Sequence, residues 1–317
     1  MSPLAIVFPG QGSQSVGMLS DIAAEYPIVK ETFNEASSCL DYDLWKLTQE
    51  GPATELDKTE YTQPALLTAG YAVWRLLQAE MQLSPAFLAG HSLGEYTALL
   101  CANAFSFSDA VRLVALRGKY MQEAVKPGDG AMAALIGLDE NTVKKICEQA
   151  VSSATDILSP ANFNSMGQIV VAGHRAPVER AVALAKEQGA KLAMLIPVSV
   201  PSHCLLMQPA AVRLKAALAA IPIQKPQFPI LNNVDVMIYD NEQQIREGLV
   251  KQLYLPVRWV EIIQYLAQSG VKSVIECGPG KILTGLNKRI DKQLELIATT
   301  DKASINALLL KGTDHVR

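Results

Sequence analysis

The sequence predicts an α/β fold, a doubly wound parallel sheet with a small unit inserted into it. Three observations carry this. Short apolar runs, Leu4–Phe8, Pro85–Ala89 and Lys272–Cys277, alternate with longer helical patterns. The first of these runs is apolar throughout, without alternation, which suits a strand covered on both faces. From about residue 130 to 198 the order changes to β-α-β-β-α-β, the ferredoxin-like pattern, which closes on itself as a compact unit.

The elements follow in order. Leu4-Ala5-Ile6-Val7-Phe8 forms a strand that ends at the loop Pro9-Gly10-Gln11-Gly12-Ser13-Gln14. Ser15 stands where a dinucleotide-binding G-x-G-x-x-G would place its third glycine, so that reading is weak. Pro64 opens a helical pattern that runs to Met81. The Pro85–Ala89 strand leads through a glycine-flanked turn into a helix over Leu93–Cys101. Ser108 is placed to cap a helix reaching Val125. In the insert, strands fall at Ala131–Leu138, Asp156–Asn162, Gln168–Ala172 and Lys191–Pro197, with helices at Asn141–Ala150 and Ala176–Gly189. Gly128, Gly130, Pro197 and Pro201 bracket it. A helical run then covers Cys204–Leu218, and the Lys272–Cys277 strand is followed by Gly278-Pro279-Gly280. The large subdomain is therefore 1–127 with 199–317, the insert is 128–198, and chemistry is expected in the cleft between them.

Composition narrows the function classes. With 49% apolar and 19% charged residues, the chain has ample material for a core. A net charge of −3 lacks the basic surplus of a nucleic-acid binder. The five cysteines are odd in number and scattered without a C-x-x-C, which reads as reduced thiols in the cytoplasm. No apolar run approaches the roughly 20 residues of a membrane span, and no signal segment is evident at the start.

Gly90-His91-Ser92-Leu93-Gly94 fits G-x-S-x-G, in which a serine is exposed on a sharp strand-to-helix turn. The plain alternative is an ordinary serine in a glycine-flanked turn. A serine hydroxyl needs a base, and histidine is the usual one. Of the four histidines, His315 lies in a polar tail, His174 ends a strand of the insert, and His91 adjoins the serine on a turn where neighbouring side chains diverge. His203 remains, just before the Cys204–Leu218 helix, whose N-terminus favours neutral imidazole. Arg117 is the second informative residue. It lies on the apolar stripe Ala110, Leu113, Val114 and Met121 of its helix, whereas Arg112 points away. A guanidinium on a buried face needs either an internal carboxylate or an anionic ligand such as a substrate carboxylate.

Phe8–Gln14, Gly90–Tyr96, Val200-Pro201-Ser202-His203 and Gly278-Pro279-Gly280, in this order and spacing, closely resemble the malonyl-CoA:acyl carrier protein transacylases of bacterial type II fatty acid synthesis. Gln63-Pro64-Ala65, Arg117-Gly118, Asn162-Phe163-Asn164 and Gln252-Leu253-Tyr254 extend the resemblance nearly end to end. It implies an α/β-hydrolase-like large subdomain and a ping-pong acyl transfer, with malonyl-CoA and acyl carrier protein as partners and no cofactor or metal. Ser92 would be the nucleophile and His203 its base, the latter oriented by the backbone carbonyl of Gln252. The N–H groups of Gln11 and Leu93 would hold the oxyanion. Arg117 would bind the malonyl carboxylate, with Gln63, Asn162 and Ser199 near the acyl pocket. Leu255 departs from the small polar residue the family usually has before Pro256-Val257. Because carrier proteins are acidic, Lys281, Lys288 and Lys292, read as one helical face with Arg289 beside them, are expected to form part of the docking surface, against the plain reading of a solvated lysine face. A monomer is expected. The alternatives are a trans-acting malonyl transferase for a polyketide synthase, a serine esterase or thioesterase, and a silent carrier-protein-binding module.

Overall fold

The computed structural model describes residues 3–198 and 200–313. Its described strands are β1 (Leu4–Phe8), β2 (Phe87–Gly90), β3 (Gly130–Ile136), β4 (Leu158–Ser165), β5 (Gln168–His174), β6 (Leu192–Leu195), β7 (Ile230–Leu231), β8 (Ser273–Glu276) and β9 (Glu295–Ala298). One sheet has the order β7-β2-β1-β8-β9 with every neighbour parallel. The other has the order β4-β5-β3-β6 with every neighbour antiparallel.

The central strand of the parallel sheet shows why its sequence is apolar throughout. Ile6 and Phe8 enter a core with Leu67, Trp74 and Leu99 on one face. Ala5 and Val7 enter a second core with Trp259, Ile262 and Leu266 on the other. Complete burial of a side chain the size of Ile6 or Phe8 contributes about 2 kcal/mol, so both faces select against polar residues.

The second sheet is built wholly from residues 130–195 in β-α-β-β-α-β order. Helices Glu140–Ala150 and Arg175–Glu187 cover one face, packing on Ala133, Leu135 and Val171. The Asp139 side chain starts the first of these by accepting from Thr142 N–H at 3.0 Å. The opposite face, through Met132, Val170 and Ala172, meets Cys204 and Leu206. The edge strand β4 also joins the segment after Gln252, since Phe163 N–H donates to Val257 O at 2.9 Å and Val257 N–H donates to Ala161 O at 2.9 Å. The insert is thus seated directly on the segments carrying His203 and Gln252.

Some boundaries differ from the sequence reading. The helix expected from Pro64 spans Thr59–Met81, with Pro64 inside it. Proline there forfeits the hydrogen bond to Glu60, and burial of Ala65, Leu66 and Leu67 overrides that local cost. The next long helix is Phe107–Ala124, capped by Ser106, whose Oγ accepts from Asp109 N–H at 3.1 Å; Ser108 sits within its first turn. The Cys204–Leu218 run is a 3₁₀ turn at Leu205–Met207 followed by a helix at Gln208–Ala219.

Candidate active site

Ser92 stands between the end of β2 and the helix Leu93–Cys101, with φ 52° and ψ −105°. That backbone is rarely adopted by a residue with a Cβ and costs on the order of 1–3 kcal/mol. The flanking glycines make the turn possible. A Cβ on Gly94 would lie 2.0 Å from Phe8 O, and one on Gly90 would lie 1.9 Å from the Gly94 carbonyl carbon. Asn233 holds the strained turn from outside. Its Oδ1 accepts from Ser92 N–H at 2.7 Å, and its Nδ2 donates to Gly90 O at 2.7 Å.

The serine hydroxyl meets two of the expected groups. His203 Nε2 is 2.8 Å from Ser92 Oγ, and Arg117 Nη2 donates to the same oxygen at 3.2 Å. His203 Nδ1 lies 2.7 Å from the backbone oxygen of Gln252. A carbonyl only accepts, so Nδ1 carries the proton and Nε2 offers its lone pair. The Ser92 O–H is therefore directed at His203. His203 itself has φ 63°, and its N–H donates to Leu253 O at 3.0 Å.

Arg117 is 1% exposed, and no carboxylate among the described residues lies within ion-pair distance of it. Its Nη2 also donates to Gln252 Oε1 at 3.0 Å, its charge lies 5.1 Å from the centre of the Tyr96 ring, and its buried Nε has no hydrogen-bond partner. Burial lowers its affinity for the proton, against the nearby Tyr96 and Glu95. Such a guanidinium is prepared for an anion that arrives with a ligand.

His203 is neutral for a reason other than the one its position suggested. Helix Gln208–Ala219 begins five residues after His203, so its dipole contributes little. Burial first, and then the Arg117 charge, push the imidazole down to about 3. The ring signals of His203 therefore hold their neutral positions in an NMR titration from about pH 8 to about pH 5; a midpoint near 6.5 would refute this. The linkage has a definite sign. The unfolded chain binds this proton more tightly, so the protein loses stability as pH falls from about 6.5 toward 3.

Behind the serine lies a group that the sequence reading did not assign. Glu95 is fully buried and accepts from Tyr239 O–H, from Gln252 Nε2 at 2.8 Å and from Asn233 N–H at 3.1 Å. Burial pushes its carboxyl up to about 7 against these bonds. A signal existed, since Glu95 is the sole charged residue in the otherwise uncharged helix Leu93–Cys101. His91 indeed diverges from Ser92, and its Nε2 lies 2.8 Å from Asn164 Oδ1 on β4.

The other expected residues fall in varied places. Leu93 opens its helix, so its N–H has no carbonyl one turn before it. The loop carrying Gln11 lies against this turn, because a Cβ on Gly10 would be 2.5 Å from His91 O. Gln63 is buried and donates through Nε2 to Met121 Sδ at 3.4 Å, one turn beyond Arg117. Asn162 is buried on β4, bridging toward Val257. Ser199 and His315 lie outside the described residues.

The single basic helical face is corrected by the structure. The helix spans only Ile282–Ile290; Lys281 is its N-cap, and Lys292 lies beyond the extended Asp291. Glu276 sets its start by accepting from Leu283 N–H at 3.0 Å and Thr284 N–H at 2.7 Å. Lys288 and Arg289 remain exposed on it, with Arg289 donating to Gln168 Oε1 at 2.6 Å.

The chain is similar to known proteins over nearly its whole length. Residues 5–307 match the family model described as the acyl transferase domain. The malonyl CoA-acyl carrier protein transacylase of Escherichia coli K12 is 56% identical over 309 residues, covering 98% of this chain and 99% of that protein. An acyl carrier protein S-malonyltransferase from Vibrio cholerae superposes with a TM-score of 0.94 at 53% identity, covering 97% of this chain and all of that one. A malonyl-transacylase solved in complex with a type II PKS acyl-carrier protein superposes with a TM-score of 0.96 at 51% identity, covering 98% of this chain and 100% of that one. The strained serine turn, the neutral histidine and the buried arginine thus occur in a chain related to such enzymes over nearly its whole length. The chain belongs to the acyl transferase family, among the malonyl-CoA:acyl carrier protein transacylases.

Proposed function

We propose that this chain moves a malonyl group from malonyl-CoA to the phosphopantetheine thiol of acyl carrier protein, supplying extender units for fatty acid synthesis. One observation carries the choice of acyl group. The buried Arg117 lacks an ion-pair partner among the described residues, yet it sits 3.2 Å from the Ser92 hydroxyl.

In the first half-reaction, Ser92 Oγ attacks the thioester carbonyl as its proton passes to His203 Nε2. Charge on the carbonyl oxygen is held by the N–H groups of Leu93 and Gln11. The intermediate collapses, the C–S bond breaks, and His203 returns the proton to the leaving thiolate. In the second half, the carrier's thiol gives its proton to His203 and attacks the malonyl-serine ester. The same oxyanion site is used, and Ser92 recovers its proton. The Gln252 carbonyl steadies the imidazolium less than a carboxylate would. Gln63 and Asn162 line the acyl pocket in this reading. The catalytic subdomain is 1–127 with 199–317, the insert is 128–198, and Lys281, Lys288, Arg289 and Lys292 form separate basic points near the carrier. The protein acts in the cytoplasm as a monomer without a resident cofactor. Its described cysteines are all free thiols, which fits a reducing compartment.

The test separates transfer from hydrolysis. Mixed with malonyl-CoA and holo carrier protein, the protein yields malonyl-carrier as the main product. Free malonate as the main product would make it a hydrolase. A carrier from polyketide synthesis is the second reading, favoured by the relative solved with a type II PKS acyl-carrier protein. Comparing kcat/KM for the two kinds of carrier decides between them.

A further inference from the structure

Glu95 is a fully buried carboxylate one helical turn from Ser92 that takes no part in the steps above. Its neighbours leave little freedom in how it is used. Oε2 accepts from two groups that can only donate, Asn233 N–H and Gln252 Nε2. Oε1 accepts from Tyr239 O–H, which reaches it because residue 248 is glycine; a Cβ there would lie 2.3 Å from that hydroxyl.

The consequence lies in Gln252. Its Nε2 donates both to Glu95 Oε2 and to Ser92 O, each at 2.8 Å, and its Oε1 accepts from Arg117 Nη2 at 3.0 Å. Turning the amide over would set NH2 against guanidinium N–H and oxygen against two acceptors. Its orientation is therefore dictated by chemistry, and Glu95 supplies one of the two acceptors that dictate it. A chain of directed hydrogen bonds runs from Glu95 through Gln252 to Arg117 and ends on Ser92 Oγ.

We propose that Glu95 is a positioning residue that, through the side-chain amide of Gln252, holds Arg117 where an acyl carboxylate must meet it and so sets the preference for carboxylated acyl groups. This rests on the proposed malonyl transfer. Glu95 itself touches no substrate. Without its acceptor, Gln252 swings, and Arg117 loses the contact that aligns it beside the nucleophile. Acylation by a group without a carboxylate depends on Ser92 and His203 and is affected much less.

The experiment measures kcat/KM for malonyl-enzyme and acetyl-enzyme formation by intact mass spectrometry, alongside Tm. Glu95→Met keeps the volume and removes the acceptor. The malonyl-to-acetyl ratio falls roughly tenfold, the scale of one charge-assisted hydrogen bond. Glu95→Gln keeps an acceptor at the same place and restores the ratio. Gln252→Met keeps the backbone carbonyl for His203 and shows the same fall, which decides the matter should Glu95→Met not fold. An unchanged ratio in whichever of the two methionine variants folds, whatever its Tm, overturns the proposal. Failure of the wild type to form a malonyl-enzyme overturns the transfer reading, and this inference with it, and is read separately from the variant ratios.

Discussion

Ser92→Ala abolishes the covalent malonyl-enzyme and lowers transfer by on the order of 10⁵-fold or more, the scale seen when the nucleophile of such a unit is removed. The loss is chemical, because the turn survives. Alanine and serine meet the same steric cost at φ 52°, and Asn233 bonds the backbone of residues 90 and 92, not the hydroxyl. Removing Oγ leaves His203 Nε2 without its partner at 2.8 Å and Arg117 Nη2 without its partner at 3.2 Å. The Tm therefore moves by only a few degrees, about 1 kcal/mol of stability. Intact mass after incubation with malonyl-CoA reads the result. An adduct that persists at full occupancy on the variant would place the nucleophile elsewhere and remove the assignment of Ser92.

Some of this site is written locally in the chain and some is not. The turn was legible because both glycines of Gly90–Gly94 are sterically forced, one by the turn itself and the other by Phe8 O on the neighbouring strand. Arg117 was legible because helical period alone placed it on the stripe that the core covers, and the structure buries it with Leu113 and Val114. The antiparallel insert was legible because its alternation of elements closes within 130–195. By contrast, Asn233 and Tyr239 reach the site from distant segments, through three hydrogen bonds and one respectively, and no local pattern around them marks that use. The two-residue β7 is too short to carry a pattern. The lysine stripe failed for the opposite reason. A helical period was carried past Asp291, where the backbone turns extended at φ −140° and the helix has already ended.

Arg117→Ala lowers kcat/KM for malonyl-CoA by roughly 100-fold or more while raising that for acetyl-CoA several-fold. The first effect follows from burial. A desolvated guanidinium gripping a carboxylate contributes about 3 kcal/mol when one partner is truncated, and each 1.4 kcal/mol or so is a factor of ten. The second follows from charge. Arg117 is one of the two main influences that depress the proton affinity of His203, after burial itself. An acetyl group brings no negative charge, so the imidazolium must form beside an uncompensated guanidinium; alanine removes that repulsion. In the proposed transfer a malonyl carboxylate neutralises the same guanidinium, so the correct substrate would strengthen His203 as a base at the moment it is needed. Selection for the carboxylate then resides in kcat as well as KM. Steady-state kinetics with both thioesters and holo carrier protein read the two effects together. If both substrates decline by the same factor, Arg117 supports the pocket wall without reading the acyl group. If malonyl declines through KM alone, the electrostatic link between Arg117 and His203 is wrong even though the carboxylate contact is right.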